Sequence, residues 1–411
     1  MMAPPSAPRL AAQAQAPARA RPQQWIGPQP GRGVVHIDLA APFPDRIEPG
    51  PFQRSMVVFW WKDVPVGHVF LESSRCSPER IAALAEIAVE DDLITGAEDR
   101  IAGPARVGPV SVIVCTRDRP QELARCLDSL LAQSRPPEEI VVVDDGSSGP
   151  VARRVASERP RVTFRRQQPS GLAAARNTAI RAARHDILAF TDDDVRHHPF
   201  WLERLVRPLE REDTVASAGL VLPLEIESDA HYICERAWSL GRGYRPRAFG
   251  PEFLKGGAIR PAPVWEIGSG ASMAFQRRVF QELGGFDERL DGGADGVTGE
   301  AELWHRILSQ GWTCRYEPAS VAYHRHCREL KDLCEQVRRQ MAGHVFSLLI
   351  TGERDEGAGA LRRIALDLPR LFLKLGWSRL LDGRRPHTAL LGASLNGYWA
   401  GLCSYSRRRG A

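Results

Sequence analysis

The chain predicts an α/β fold: a mostly parallel sheet with helices on both faces, preceded by a small β-rich module and followed by a helical tail. Two observations carry this. From Val110 onward, short continuous apolar runs alternate with helix-length amphipathic stretches, the βαβα order that implies parallel strands covered on both sides. The ends of three of those runs also carry polar clusters: Thr116-Arg117-Asp118, Asp144-Asp145 and Asp192-Asp193-Asp194. In open α/β sheets ligands sit beyond the carboxyl ends of the strands.

The 411 residues are enough for two to three domains, and 43% apolar with 26% charged residues is the balance of a globular protein. Residues 1–30 are rich in Ala, Pro, Arg and Gln, lack acids and hold no apolar core for a signal peptide; disorder is expected there. Residues 33–105 form the accessory module. Met56–Trp61 and Val64–Leu71 alternate as two strands around Lys62-Asp63, with Pro65 and Gly67 placing the second at an edge. Pro78–Glu90 follows as a helix. Gly103-Pro104 to Gly108-Pro109 reads as the linker into the main domain, 108–328.

In that domain Val110–Val114 and Glu139–Val143 read as buried strands, Arg161–Phe164 as a short one and Ile187–Phe190 as a fourth. Helices are expected at Pro120 onward, with Leu123, Leu127, Leu130 and Leu131 on one face, at Leu172–Ala183 and at Trp201–Leu209. Gly268-Ser269-Gly270 turns into a strand, a helix spans Arg277–Leu283, and a glycine-rich loop, Asp291–Gly299, leads to Glu300. Residues 329–411 are expected to be helical. Within them Leu361–Leu375 mixes arginine with apolar faces, which suits either packing or contact with a membrane surface.

The net charge of +5 is small but uneven, with Arg384-Arg385 and Arg407-Arg408-Arg409 crowding the end; no aromatic–basic interleaving points to a nucleic-acid binder. The eight cysteines form no C-x-x-C pair, which argues against structural zinc and predicts a reducing cytoplasm, at most peripheral at the inner face of a membrane. No run is long and apolar enough to predict a spanning helix.

The acidic turn after Ile187–Phe190 admits two readings. One is a solvated turn capping the next helix. The other gathers carboxylates around a divalent cation, because adjacent like charges repel and hard cations prefer carboxylate oxygen. Strand alternation sends Asp192 and Asp194 one way and Asp193 the other.

Five motifs then occur in one order: Cys115-Thr116-Arg117-Asp118-Arg119-Pro120, Val143-Asp144-Asp145-Gly146-Ser147, Ala175-Arg176-Asn177-Thr178-Ala179, Phe190-Thr191-Asp192-Asp193-Asp194 and Gly284-Gly285-Phe286-Asp287, the last followed by an acidic helix start. As an ordered set, over about Val110 to His326, the chain resembles family 2 glycosyltransferases with a GT-A fold. The resemblance implies a hexosyltransferase that inverts the sugar carbon and draws on a nucleotide-diphosphate donor, a UDP-sugar. Asp145 would accept from the base, with Thr116 and Arg117 lining its pocket, and Arg176 would lie near the diphosphate. Asp194 would ligate Mn or Mg, with Asp192 and Asp193 toward the ribose or metal-bound water. Glu300 would be the general base, at the second position of a Gly299-Glu300 pair where the family uses Glu-Asp; Glu302 then reads as a helix cap, and Asp295 or Glu302 as a substitute base. His324, in Tyr323-His324-Arg325-His326, would reach the metal or diphosphate, and Trp265 would stack on an acceptor sugar. The acceptor would be a glycan, a lipid-linked or a small-molecule hydroxyl, with the C-terminal helices able to touch membrane. Two rivals follow from the same residues: a catalytically weak sugar-nucleotide or glycan-binding module, and a nucleotidyltransferase.

Overall fold

A computed structural model describes residues 32–42, 54–72, 77–101, 105–255, 262–290, 299–354, 359–382 and 389–409. The expected tail 1–30, the glycine-rich loop with Asp295, Cys76 and the Arg384-Arg385 pair lie outside the described residues.

The accessory module contains β1 (Val34–Asp38), β2 (Arg54–Trp61) and β3 (Val64–Glu72), with α1 (Pro78–Ala88) and α2 (Asp91–Ile101). β1 runs parallel to β2 and β3 antiparallel, so β3 is the edge expected from Pro65 and Gly67, and the ladder shifts register opposite them. Strand alternation divides β2 between two cores. Val57 and Phe59 pack with Ile81 and Ala85 of α1 and Ile94 and Ala97 of α2. Met56, Val58 and Trp60 enter the core of the main domain. Each such fully buried side chain contributes roughly 1.5–3 kcal/mol. The Lys62-Asp63 turn is also tied down: the Asp63 carboxylate lies 2.7 Å from the Arg204 guanidinium, which donates to the carbonyls of Asp63 (2.8 Å) and Ala319 (3.2 Å). Neither β1 nor α2 was expected from the sequence.

The main sheet is built from β4 (Val110–Thr116), β5 (Glu139–Asp145), β6 (Val162–Gln167), β7 (Ile187–Asp192), β8 (Val195–His197), β9 (Thr214–Pro223), β10 (Arg247–Phe249), β11 (Met273–Gln276) and β12 (Thr313–His324). Their order is β10-β12-β9-β11-β7-β4-β5-β6, with β8 added on β12. β6, β5, β4 and β7 are mutually parallel, β9 and β12 are parallel, and β11 enters antiparallel between β7 and β9.

The two faces of β4 and β5 fill two cores. Val110, Val112, Val114, Ile140 and Val142 meet α3 (Pro120–Leu131), α4 (Val151–Ser157) and α6 (Trp201–Val206). Ile113, Val141 and Val143 meet α5 (Leu172–Ala182), α8 (Arg278–Leu283) and α9 (Gly299–Ser309), whose Trp304 is fully buried. Burial on both faces is why these strands read as unbroken apolar runs. α6 ends at Val206, short of the expected Leu209, and a 3-10 turn, Arg207–Glu210, finishes it. α7 (Asp229–Trp238) follows β9, capped by the Ser228 hydroxyl.

The C-terminal region is helical as expected: α10 (Leu330–Arg354), short helical stretches Ala360–Arg362 and Arg363–Asp367, α11 (Leu368–Asp382) and α12 (Leu391–Arg409). α12 lies against α10 at Gly397 and Gly401, where a Cβ would meet the carbonyl oxygens of Arg338 and Ala342 at 2.3 and 2.6 Å. No helix among the described residues is long and apolar enough to cross a membrane.

Candidate active site at the acidic turn

The buried run of β7 ends at Thr191, whose hydroxyl donates to the Ala271 carbonyl (3.0 Å) and lies 2.9 Å from His197 Nε2. Burial drives the His197 ring down to about 3, so it stays neutral in this contact. The chain reverses through Asp193-Asp194 into β8, which pairs antiparallel with the end of β12, Val195 opposite His324. Arg325 N–H donates to the Asp194 carbonyl at 3.1 Å. This pairing, between segments some 130 residues apart, brings His324 Nε2 to 3.3 Å from Asp194 Oδ1.

The three aspartates divide as strand alternation requires. Asp193 is buried, accepting from the Thr116 hydroxyl at 2.7 Å and from Arg119 Nη1 at 3.4 Å. Burial, reinforced by the Asp194 charge, pushes its carboxyl up to about 7. Asp192 and Asp194 face the other way, and donor atoms of Asp192, Asp194 and His324 lie within 4.8 Å of one another. Burial raises the Asp192 carboxyl and lowers the His324 ring, which keeps the imidazole neutral. Asp194 Oδ1 is buried and accepts no hydrogen bond from the described residues. Two carboxylates and a neutral imidazole around an unsatisfied buried oxygen fit a divalent cation.

Arg176 joins this turn to α9. Its side chain is 6% exposed, with Nη2 3.5 Å from Asp192 Oδ1, Nη1 3.9 Å from Glu300 Oε2 and its guanidinium over the Phe286 ring at 5.2 Å. Burial raises the Glu300 carboxyl, while the Arg176 charge opposes the rise. The Gly268-Ser269-Gly270 loop closes over the pair: a Cβ on Gly270 would meet Arg176 Nη2 at 2.7 Å. Trp265 meets other partners, the His344 ring at 5.0 Å and the Arg363 guanidinium at 5.1 Å.

The remaining expected donor residues line the neighbouring strand ends. Asp145 accepts from Gln167 Nε2 (2.8 Å), Ser170 N–H (2.9 Å) and Gly171 N–H (3.0 Å), fixing the turn that opens α5. A carboxylate has about four acceptor positions, so capacity for a further donor remains. Arg117 is exposed. Beside it Asp118, in the left-handed backbone region at φ 55°, receives the Ser148 hydroxyl and N–H at 2.7 Å each and donates its own N–H to Ser147 (2.8 Å). The loops after β4 and β5 are thus latched together.

Among the described residues Glu302 meets arginines, not the free N–H groups of its helix. Its carboxylate is buried, receiving Arg306 Nη2 at 2.8 Å and Arg354 from α10, because one turn into α9 the side chain faces those guanidiniums. Three contributors were missed from the sequence. Arg119 reaches Asp194 Oδ2 at 2.8 Å, and Asn177 clamps the Gly285-Phe286 turn; both lie inside motifs already quoted, two residues after Arg117 and one after Arg176. Glu235 bonds His326 Nε2 at 3.1 Å, and His326 Nδ1 lies 3.3 Å from His324 Nδ1. Glu235 had no local signal, since α7 meets the end of β12 only in the folded chain.

An α/β domain with a candidate cation site, a buried arginine and a glycine loop at the carboxyl ends of parallel strands has its ligand site where open α/β sheets place theirs. Residues 111–284, rather less than half of the chain, match the family described as Glycosyl transferase family 2. The chain is 31% identical over 220 residues to the O-antigen biosynthesis protein RfbC of Myxococcus xanthus, covering 52% of this chain and 17% of that protein. It is 28% identical over 228 residues to the pre-mycofactocin glycosyltransferase of Mycobacterium tuberculosis, covering 54% and 44%. The chain therefore spans less than half the length of these curated relatives. A solved mannosyltransferase from Pyrobaculum calidifontis, in complex with GDP-Man and Mn2+, superposes at TM-score 0.48 with 20% identity, over 74% of this chain and 92% of that one.

Proposed function

We propose that the chain transfers a sugar from a nucleotide-diphosphate donor to an acceptor hydroxyl, inverting the anomeric carbon. The observation that carries this reading is the meeting of Asp192, Asp194 and His324 within 4.8 Å, joined to Glu300 through Arg176. Asp192, Asp194 and His324 would hold the divalent cation, and the imidazole in that set favours Mn over Mg. Bound there, the cation supplies Lewis-acid charge for the leaving diphosphate.

The chain's own residues do the rest. Asp145 accepts from the base, with Thr116 and Arg117 beside it, while Asp193 braces Thr116 and Arg119 along the ribose wall. Arg176 offers its planar fork to the diphosphate and keeps Asp192 and Glu300 from repelling one another. Glu300 takes the proton from the acceptor hydroxyl as that oxygen bonds to the anomeric carbon and the bond to the diphosphate breaks. The two relatives are named for different systems, O-antigen biosynthesis and pre-mycofactocin, so no acceptor is carried over to this chain. UDP-sugars are the first donors to screen.

The test is Mn binding followed by electron paramagnetic resonance, and donor binding by thermal shift, on the wild type and Asp194→Ala. Loss of both in the variant is expected; full Mn binding and undiminished transfer by Asp194→Ala would overturn the reading. Donor binding by the wild type without transfer across a broad acceptor panel would assign a binding module instead, and release of pyrophosphate from a nucleoside triphosphate would assign a nucleotidyltransferase.

A further inference from the structure

We propose that the C-terminal helices dock on an anionic lipid bilayer, lying on its surface through one exposed face of α11 and α12. The buried side of these helices is already filled: Ile364, Leu368, Phe372 and Tyr398 pack on Met341, Val345 and Leu348 of α10. A second apolar set is left over. Leu373, Trp377 and Leu380 are 73%, 65% and 80% exposed, and with Leu366 they recur at spacings that trace one stripe of a helix. α12 adds Leu395 and Trp399, one turn apart, the latter 62% exposed. Large exposed apolar side chains recurring in this way on each helix mark an interaction surface, and tryptophan among leucines is the composition of a helix seated at the headgroup level.

Charge selects the occupant. Residues 359–411 hold ten Lys and Arg against two acids, Asp367 and Asp382, a net +8. The whole chain carries +5, so the remainder is net −3 and this region holds a large excess of positive charge. Arg370 and Lys374 are exposed beside the stripe. A second copy presenting the same patch would be repelled, whereas an anionic bilayer attracts the arginines and takes up the leucines and tryptophans together. The proposal does not rest on sugar transfer, and its test reads partition, not turnover.

The experiment is co-sedimentation of the full chain with phosphatidylcholine vesicles, either neutral or containing about a third phosphatidylglycerol. Strong binding to the anionic vesicles, weak binding to the neutral ones and loss on raising the salt are expected. Arg370→Gln with Lys374→Gln lowers the partition coefficient roughly 25-fold, from about fivefold per basic side chain. Leu373→Glu with Leu380→Glu abolishes binding while leaving the urea unfolding midpoint unchanged, since both side chains are exposed. Equal binding to both vesicle types, binding that survives the glutamate pair, or no vesicle binding together with a dimer that the same pair dissociates would each overturn the proposal.

Discussion

Asn177 and Phe286, 109 residues apart, exchange two hydrogen bonds: Phe286 N–H donates to Asn177 Oδ1 at 2.8 Å, and Asn177 Nδ2 donates to the Phe286 carbonyl at 2.9 Å. Nδ2 also reaches Glu288 Oε1 at 2.8 Å. One amide side chain thus completes the backbone pairing of the Gly284-Gly285-Phe286 turn, against which Arg176 rests. Asn177→Ala leaves two buried backbone groups unpaired, at about 1–3 kcal/mol each. A fall in the urea midpoint with an unchanged slope checks this, and a change below about 1 kcal/mol would refute it.

Removing Glu235 should weaken metal binding without touching a proposed ligand. Glu235 holds His326, and His326 lies against the nitrogen of His324 that faces away from Asp194. Such outer partners are worth about 10- to 100-fold in metal affinity. Glu235→Gln is therefore expected to raise the Kd for Mn by that factor, measured by titration calorimetry. Unchanged affinity would leave Glu235 a purely structural residue.

As the proposed base, Glu300 would set an acid limb. Its base role requires the carboxylate, and burial raises its carboxyl above the ordinary range. The rate should fall as pH drops through that raised value, since protonation removes the acceptor of the proton. Arg176 opposes the rise, so Arg176→Gln should move the limb of kcat/KM to higher pH. Glu300→Gln should cost roughly 100- to 10,000-fold in kcat with donor affinity kept. A limb that stays put in Arg176→Gln would separate the two residues.

The Asp63–Arg204 pair fastens the accessory module to the sheet. Both side chains are largely buried, and their contact is 2.7 Å. Asp63→Ala leaves the guanidinium with backbone carbonyls but without its contacting carboxylate, a largely uncompensated buried charge costing about 3–5 kcal/mol. Thermal unfolding should show a drop of several degrees for this variant, and for Arg204→Met a smaller one, because replacing the charge by an apolar side chain leaves no unpaired ion.

The longest apolar runs in the main sheet belong to strands covered on both faces, although the half-exposed β6 was legible too. β4, β5 and β7 are continuous Val, Ile, Leu and Phe runs, and their carboxyl ends carry the clusters that form the site. β9 is as fully buried, but Thr214, Ala216, Ser217, Ala218 and Gly219 give it neither period nor β-branched bulk. β12 was legible only over Ser320–Ala322, because the rest of Thr313–His324 alternates between buried and half-buried positions. Glu302 shows the same divide: an acidic residue in a first turn reads as a cap until a distant arginine is seen beside it.

The sequence by itself determined the α/β class, the order of the five motifs and the split of Asp193 from Asp192 and Asp194. Those follow from local chemistry: side-chain period, apolar runs and the preferences of carboxylates. Only the tertiary structure decided that His324 meets Asp194, that Asn177 holds Phe286 and that one face of β2 belongs to the main core. Each depends on pairing between segments far apart in the chain, and register between distant strands is fixed by the sum of burial over the whole sheet, which no local window contains.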